Sequence, residues 1–430
     1  MAAAPGTGIT ARQVAAKVVT RVLKEGAYLS RALDAELLRH PGLDARDRSL
    51  ATELSYGSVR TYGYLRECLE RHATRKLRAK DQELMAELLV AAYQILLLDR
   101  VPASAAINAA VGEVKRKRGP QVAGFANALL RNLGRAEARA DREQAVLASL
   151  PDWLVERMRR DFGERELLEL VGAGGAAPPV VARLAPGKPL PPAWAAARPC
   201  RFAPRAFELP EALPKSRRSE STFVVQEEGS QLVAWALGAR PGETVLDACA
   251  GRGGKTSLVW ESMGQSGTLW AADAHPDKLE RLTDDFGRLG LSPPTLAAVD
   301  WTVGQGLVPA IFQRALVDAP CTGSGTLRRR PEIALRLAAG DAERMSHLQR
   351  AIVRSVATRL VPGGRLVYAV CSVFQEEAEA VVASLSDILE PVPFDSPVLE
   401  RAAPGMPTSF RLLPGTHGTD GYFLASLRLR

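Results

Sequence analysis

Two cysteines have the residue type and setting for covalent chemistry. Cys321 sits in Asp318-Ala319-Pro320-Cys321-Thr322-Gly323, and Cys371 sits in Tyr368-Ala369-Val370-Cys371-Ser372. Each follows a short apolar run that reads as a buried strand, and each precedes residues that read as a loop or helix start. In an open parallel sheet the strand C-termini converge on one crevice, where ligands bind. Two thiols and the Asp318 carboxylate delivered to one crevice suggest nucleophilic catalysis, because a thiolate is an effective nucleophile near neutral pH once its pKa is lowered. The competing reading of a free cysteine is a small buried hydrophobe. That reading suits Cys68 and Cys200, which lie outside any motif.

A glycine-rich stretch supplies the second element of a site. Val245-Leu246-Asp247-Ala248-Cys249-Ala250-Gly251-Arg252-Gly253-Gly254-Lys255-Thr256 reads as strand, tight loop and helix. Its glycines let backbone approach a ligand closely. The spacing fails both the phosphate-loop pattern and the GxGxxG dinucleotide pattern. Asp273 closes the next strand, where doubly wound folds place the acid that binds ribose hydroxyls. A nucleoside-type cofactor without a pyrophosphate fits both features, and S-adenosylmethionine is the leading candidate. The expected cofactor-binding residues are Cys249, Ala250, Gly251, Arg252, Gly253, Gly254, Lys255, Asp273 and Asp318. In Cys249 the backbone matters more than the sulfur. Asp300, after the third strand, is either an adenine contact or a plain turn residue.

The elements that must position these residues follow from periodicity. Residues 1–150 read as an all-α bundle of six or seven helices, with apolar residues at three and four spacing in Val14-Val18-Val22 and Leu84-Leu88-Ala91-Ile95. Residues 151–222 begin with a helix over 153–171 and continue through proline-rich sequence, read as a small α+β domain. Residues 223–430 alternate strand and helix. Strands are expected at 244–249, 267–273, 294–299, 314–318, 364–370 and 421–427, with helices at 230–237, 256–263, 276–289, 342–359 and 375–385. Such alternation implies a mostly parallel, doubly wound α/β sheet of Rossmann type.

Composition narrows the partners. The chain has 430 residues, 46% hydrophobic and 24% charged, which is ordinary for a folded protein. A formal net charge of +8 favours an anionic partner, nucleic acid foremost. Five widely spaced cysteines with no CxxC pair argue against a disulfide framework or a zinc site, so no metal is expected. The first ten residues lack an apolar signal region, and no apolar run reaches membrane-spanning length. A cytoplasmic protein without membrane contact is the expectation.

The chain resembles the RNA cytosine-5 methyltransferase family (the RsmB, or Sun, family). The residues that carry the likeness are Asp247-Ala248-Cys249-Ala250 with Gly253-Gly254-Lys255-Thr256, then Asp318 through Arg329, then Tyr368 through Val382 with Cys371-Ser372-Val373 and Glu376-Glu377. Val225 through Gln231 and Asp420-Gly421-Tyr422-Phe423 match as well. The resemblance implies an S-adenosylmethionine-dependent enzyme with Cys371 as the nucleophile that adds to carbon 6 of cytosine. It implies that Cys321 assists release of the adduct by helping remove the carbon 5 proton, and that Asp318 hydrogen-bonds nitrogen 3. Lys255 would support the active-site carboxylate. This chain has Gly251-Arg252 where the family usually has Ala-Pro, and Val370 where it commonly has Thr. The glycines and the reacting groups are retained.

Residues 10–140 resemble the NusB-type helical RNA-binding domain, through Ala32 to Arg48, Glu53-Leu54-Ser55-Tyr56-Gly57, Ala106 to Val111 and Phe125 to Arg131. That combination is characteristic of the bacterial type that modifies small-subunit ribosomal RNA. It implies 16S rRNA as partner, presented as a single-stranded loop in free RNA or an assembly intermediate, and a monomeric protein. In the middle segment Arg183-Leu184-Ala185 stands where the family usually has Arg-Val-Asn. RNA contacts are expected from Lys115-Arg116-Lys117-Arg118, Arg217-Arg218 and Arg328-Arg329-Arg330, since lysine and arginine supply most sequence-independent affinity. Two other readings stay open: the same reaction on tRNA, and a non-catalytic RNA-binding assembly factor.

Overall fold

The computed structural model describes residues 9–77, 81–175, 178–209, 221–304 and 306–430. The chain divides into two compact units. One gathers the N-terminal helices with the short segment Leu327–Arg336; the other holds Pro178–Thr326 and Leu337–Arg430. The residues expected as a middle domain are thus shared out. The helix Asp152–Val171 belongs with the first unit, and the strands from Val180 belong with the second. Arg217 and Arg218 lie outside the described residues. No described helix is long and apolar enough to cross a membrane.

The first unit is helical. Its helices are Ala11–Glu25, Leu29–Arg39, Ala45–Arg60, Tyr62–His72, Gln82–Leu97, Ala103–Ala136, Arg142–Leu147 and Asp152–Val171. Local chemistry sets the ends of the first. Thr10 and Gln13 form a reciprocal capping box, and Gly26 at φ 64° stops the helix in the left-handed conformation. Val14, Val18 and Val22 are buried in a core shared with Leu54, Leu88, Ala91, Ile95 and Leu130. Ala103–Ala136 breaks at Gly119 (φ 82°) before Pro120, because proline has no N–H to give and restricts the residue before it.

The second unit contains two sheets. A four-stranded antiparallel sheet runs β2-β3-β1-β4, from β1 (Val180–Leu184), β2 (Arg198–Pro199), β3 (Ala206–Leu209) and β4 (Phe223–Val225). The larger sheet is built from β5 (Thr244–Asp247), β6 (Thr268–Asp273), β7 (Thr295–Ala298), β8 (Phe312–Asp318), β9 (Leu360–Val370), β10 (Leu389–Pro391), β11 (Ser409–Leu412) and β12 (Tyr422–Leu429). Its order is β10-β12-β9-β8-β5-β6-β7, with β11 added to β12. β5 to β9 are parallel to their neighbours, whereas β12 pairs antiparallel to β9 and β10 and β11 pair antiparallel to β12. The order grows one way from β5 to β6 and β7 and the other way from β8 to β9. The switch point, where doubly wound sheets bind ligands, therefore lies between β5 and β8.

Two strands and one helix depart from the pattern expected from sequence. β10 and β11 are short antiparallel additions. The helix expected over 375–385 is a 3-10 turn, Gln375–Glu377, followed by Glu379–Ala383. Ala378 between them has φ −119° and ψ −103°, so the chain turns there and Glu377 is fully buried.

Candidate active site

The loop after β5 is shaped by its glycines. Gly251 (φ 57°) and Gly253 (φ 82°) both sit in the left-handed region. A Cβ on Gly253 would stand 2.5 Å from Leu282 Cγ, whereas a Cβ on Gly251 would meet nothing within 4 Å. The loop is therefore packed from below and open at Gly251. Asp273, ending β6, fixes its rim: Oδ2 accepts the Gly251 N–H at 3.0 Å, while Oδ1 accepts from the His275 N–H at 2.9 Å and Lys278 Nζ at 3.2 Å. Trp301 is buried against the same loop and its indole N–H donates to the Ala248 carbonyl at 2.7 Å. Arg252 is exposed. Asp300 folds back on its own turn, where Oδ1 accepts from Thr302 N and Oγ1, and those bonds hold its carboxyl below the usual range.

Under the loop, burial pushes the Asp247 carboxyl up to about 7, against the pull of the hydrogen bond that Thr256 Oγ1 donates to it at 2.7 Å. Burial also raises the Cys249 thiol, with Asp247 next in effect, so its sulfur stays neutral.

β8 and β9 are adjacent and parallel, and so their C-terminal loops emerge side by side. Cys321 Sγ and Cys371 Sγ stand 3.3 Å apart. Lys255, at the start of the helix Gly254–Ser262, donates to Asp318 Oδ2 at 2.7 Å. Burial alone would lower the Lys255 pKa, but the charges of Asp318 and Cys371 and the Asp318 bond outweigh it, and the ammonium is retained. The Cys321 thiol is raised well above its ordinary value, first by its hydrogen bond to Cys371 and then by burial. Either sulfur could be the donor in this contact.

Sequence reasoning missed the residue that ties these loops together. Glu377 is fully buried and accepts four hydrogen bonds. They come from Thr322 N at 2.9 Å, Thr322 Oγ1 at 2.5 Å, Ser372 Oγ at 2.6 Å and Gln349 Nε2 at 3.0 Å. One carboxylate thus clamps the residue after each cysteine. Ser324 Oγ adds a bond to Ser372 Oγ at 3.0 Å and accepts from Val373 N at 3.1 Å. Close backbone approach completes the frame. Gly421 N donates to Gly325 O at 2.7 Å, and a Cβ on Gly325 would be 2.1 Å from that same Gly421's carbonyl oxygen. Tyr422 is buried beside this frame. Burial raises its phenol, with Glu227, Asp420, Cys371 and Asp318 as further charged neighbours. Glu377 could have been suspected from sequence as an acid between the apolar residues Phe374, Ala378 and Val381, all of them buried.

Arg183 has an internal role. It is fully buried, with bonds to Gln226 Oε1 at 3.1 Å, Glu261 Oε1 at 2.5 Å and Ser257 Oγ at 2.7 Å. Base contact from it is therefore ruled out by packing. Three members of the 115–118 run are likewise ion-paired: Arg116 with Glu113 at 2.6 Å, Lys117 with Glu87 at 2.7 Å and Arg118 with Asp81 at 2.8 Å. Arg328 is buried, which removes it as an RNA contact. Among the described residues no cluster of three or more His, Cys, Asp or Glu is placed to hold a metal.

The sheet order, the open glycine loop at the switch point and the acid ending β6 define a Rossmann-like methyltransferase using S-adenosylmethionine. The fit is physical: the loop is open where the cofactor must lie, Gly253 leaves no room for a side chain beneath it, and Asp273 is fixed at its edge. Residues 234–428 match the family described as 16S rRNA methyltransferase RsmB/F, and residues 9–135 match the NusB family. The chain belongs to the RsmB family of ribosomal RNA small subunit methyltransferases. It is 32% identical to the probable ribosomal RNA small subunit methyltransferase B of Synechocystis over 98% of this chain and 99% of that one. It is 32% identical to the ribosomal RNA small subunit methyltransferase B of Pseudomonas syringae pv. tomato, over 97% and 96%. The crystal structure of PH0851 shares the fold, with a TM-score of 0.84 at 24% identity over 98% of this chain and 100% of the other.

Proposed function

We propose that this chain methylates carbon 5 of one cytosine in 16S ribosomal RNA through a covalent adduct on Cys371. The observation that carries the reading is the pair of sulfurs 3.3 Å apart at the ends of adjacent parallel strands, next to the Lys255–Asp318 pair. Bound S-adenosylmethionine supplies an electrophilic methyl group. Gly251, Gly253, Asp273 and Lys255 would hold it, with Asp300 and Asp318 at the edges of the same crevice.

Carbon 5 of cytosine is a poor nucleophile. Addition of the Cys371 thiolate to carbon 6 sends the ring's electron pair toward nitrogen 3, which takes up a proton while Asp318 hydrogen-bonds it. The ring is then an enamine, nucleophilic at carbon 5. Lys255 holds Asp318 in place through their 2.7 Å bond, and its ammonium is retained beside the charges of Asp318 and Cys371. Cys321 begins as the thiol that donates to Cys371. Once Cys371 is bonded to carbon, the hydrogen bond that chiefly raised the Cys321 pKa is gone. Cys321 then gives its own proton to solvent and, as the thiolate, takes the carbon 5 proton of the methylated adduct, while nitrogen 3 returns the proton it took up. As the carbon 5 proton leaves, the carbon 6–sulfur bond breaks and Cys371 departs as thiolate. The target base must leave its stack to reach both sulfurs, which favours a single-stranded segment.

The test is methylation of unmodified 16S transcript and tRNA with the purified protein, mapped by bisulfite sequencing, with Cys371→Ala in parallel. One protected cytosine in 16S rRNA, absent with Cys371→Ala, is expected. Protection confined to tRNA would move the reaction to that substrate. Protection nowhere would favour the assembly-factor reading.

A further inference from the structure

The helical unit carries an exposed aromatic residue set among arginines. Tyr28 precedes the helix Leu29–Arg39 and is 45% exposed. The Arg31 guanidinium lies 5.3 Å from its ring centroid and that of Arg330 lies 5.7 Å away, both within cation–π range. Arg336 comes alongside: its guanidinium is 3.7 Å from where a Cβ on Gly26 would stand, and it donates to the Ala27 carbonyl at 3.3 Å.

Two of these arginines arrive on Leu327–Arg336, which packs within the helical unit. The segment holds four arginines and one glutamate. Buried anchors fix it. Glu332 Oε1 accepts the Leu29 N–H at 3.1 Å, and Arg60 donates to the Arg328 carbonyl at 2.5 Å. Burial raises the Glu332 carboxyl, opposed by backbone bonds and by the charges of Arg330 and Arg336. The segment's single acid is thus turned inward while Arg330 is exposed beside Tyr28. Asp34 is a further carboxylate that acts on this region, through Tyr56.

We propose that Tyr28, with Arg31, Arg330 and Arg336 around it, is a stacking platform for an unpaired base of the ribosomal RNA substrate, the guanidiniums holding the flanking phosphates. The inference rests on the reading of this chain as an RNA methyltransferase and deepens it by placing a recognition point on the helical unit. Every base has a π-face that stacks on tyrosine or guanidinium, and the arginines add charge that a duplex or a single strand both feel. A platform of this kind therefore prefers unpaired RNA, whereas a purely electrostatic patch would not. A protein partner is not favoured, because the surface around the ring is cationic rather than apolar.

The experiment uses the full-length protein and two probes, a twelve-nucleotide single-stranded uridine oligomer and unmodified 16S transcript. Affinity is read by fluorescence anisotropy. Contact is read by photo-crosslinking with 4-thiouridine followed by peptide mapping. Tyr28→Ala should weaken single-strand binding about fivefold or more, the loss of one stacked base. Tyr28→Phe should rescue it, because the ring face returns. The crosslink should map to the peptide containing Tyr28. A melting temperature equal to wild type separates this from misfolding. Unchanged affinity in Tyr28→Ala with no crosslink at Tyr28 would overturn the platform, even if the wild type methylates 16S rRNA in the same tubes. Binding through Tyr28 by a wild-type protein that methylates no cytosine would support the platform and sink the reading it rests on.

Discussion

Replacing Glu377 should disable catalysis while leaving RNA binding nearly intact. In Glu377→Ala four donors lose their acceptor. Thr322 Oγ1 and Ser372 Oγ, 3.2 Å apart, can bond each other, and Ser324 Oγ lies 3.3 Å from the first and 3.0 Å from the second. Gln349 Nε2 keeps its bond to Pro320 O at 3.0 Å. The Thr322 N–H has no such substitute, and a buried orphan donor costs about 1–3 kcal/mol; with the vacated volume the loss comes to roughly 3–5 kcal/mol. Glu377→Gln keeps the volume and one acceptor, and should cost about 1–2 kcal/mol. Both variants free the loops that hold Cys321 and Cys371 in register. A displacement on the order of 1 Å there should lower kcat roughly 100-fold, with KM for RNA changed by much less. Urea denaturation and initial rates with tritiated S-adenosylmethionine measure the two effects. Wild-type kcat in a folded Glu377→Ala protein would refute the clamp.

Two further outcomes follow from the cofactor loop. Gly253→Ala must place a Cβ 2.5 Å from Leu282 Cγ at φ 82°, so stability should fall by about 1–3 kcal/mol and S-adenosylmethionine should bind more weakly, as calorimetry would register. Asp247 makes stability depend on pH in the reverse of the usual carboxylate sense. Its folded pKa of about 7 exceeds the ordinary 3.8, so the folded state binds the extra proton and stability falls as pH rises between those values, by about 4 kcal/mol in all. Asp247→Asn should flatten that slope, measured as urea midpoints at pH 5 and pH 8; identical slopes in both proteins would contradict the assignment.

Much of the catalytic unit is legible in the sequence because its signals are local. The helix Pro276–Leu289 has proline at its first turn and Gly290 (φ 68°) at its end, and the sequence places it to the residue. The five parallel strands stand out as apolar runs between helices. What could not be read depends on partners distant in the chain. β10 and β11 are three and four residues long and exist only as antiparallel pairs with β12. Glu377 breaks its expected helix to reach Thr322 and Gln349. The basic run at 115–118 reads as a free cationic patch until Glu113, Glu87 and Asp81 are seen beside its last three members. The two cysteines were suspected from their motifs, but their 3.3 Å separation comes from the adjacency of β8 and β9.

The most direct test of the central claim is to trap the adduct. Cys321→Ala, incubated with 16S transcript and S-adenosylmethionine, should accumulate an RNA–protein complex that survives denaturing electrophoresis, with mass spectrometry placing the modified cytosine on Cys371. The Cys321→Ala, Cys371→Ala double variant should form none. A complex that persists without Cys371, or full turnover by Cys371→Ala, would contradict the account.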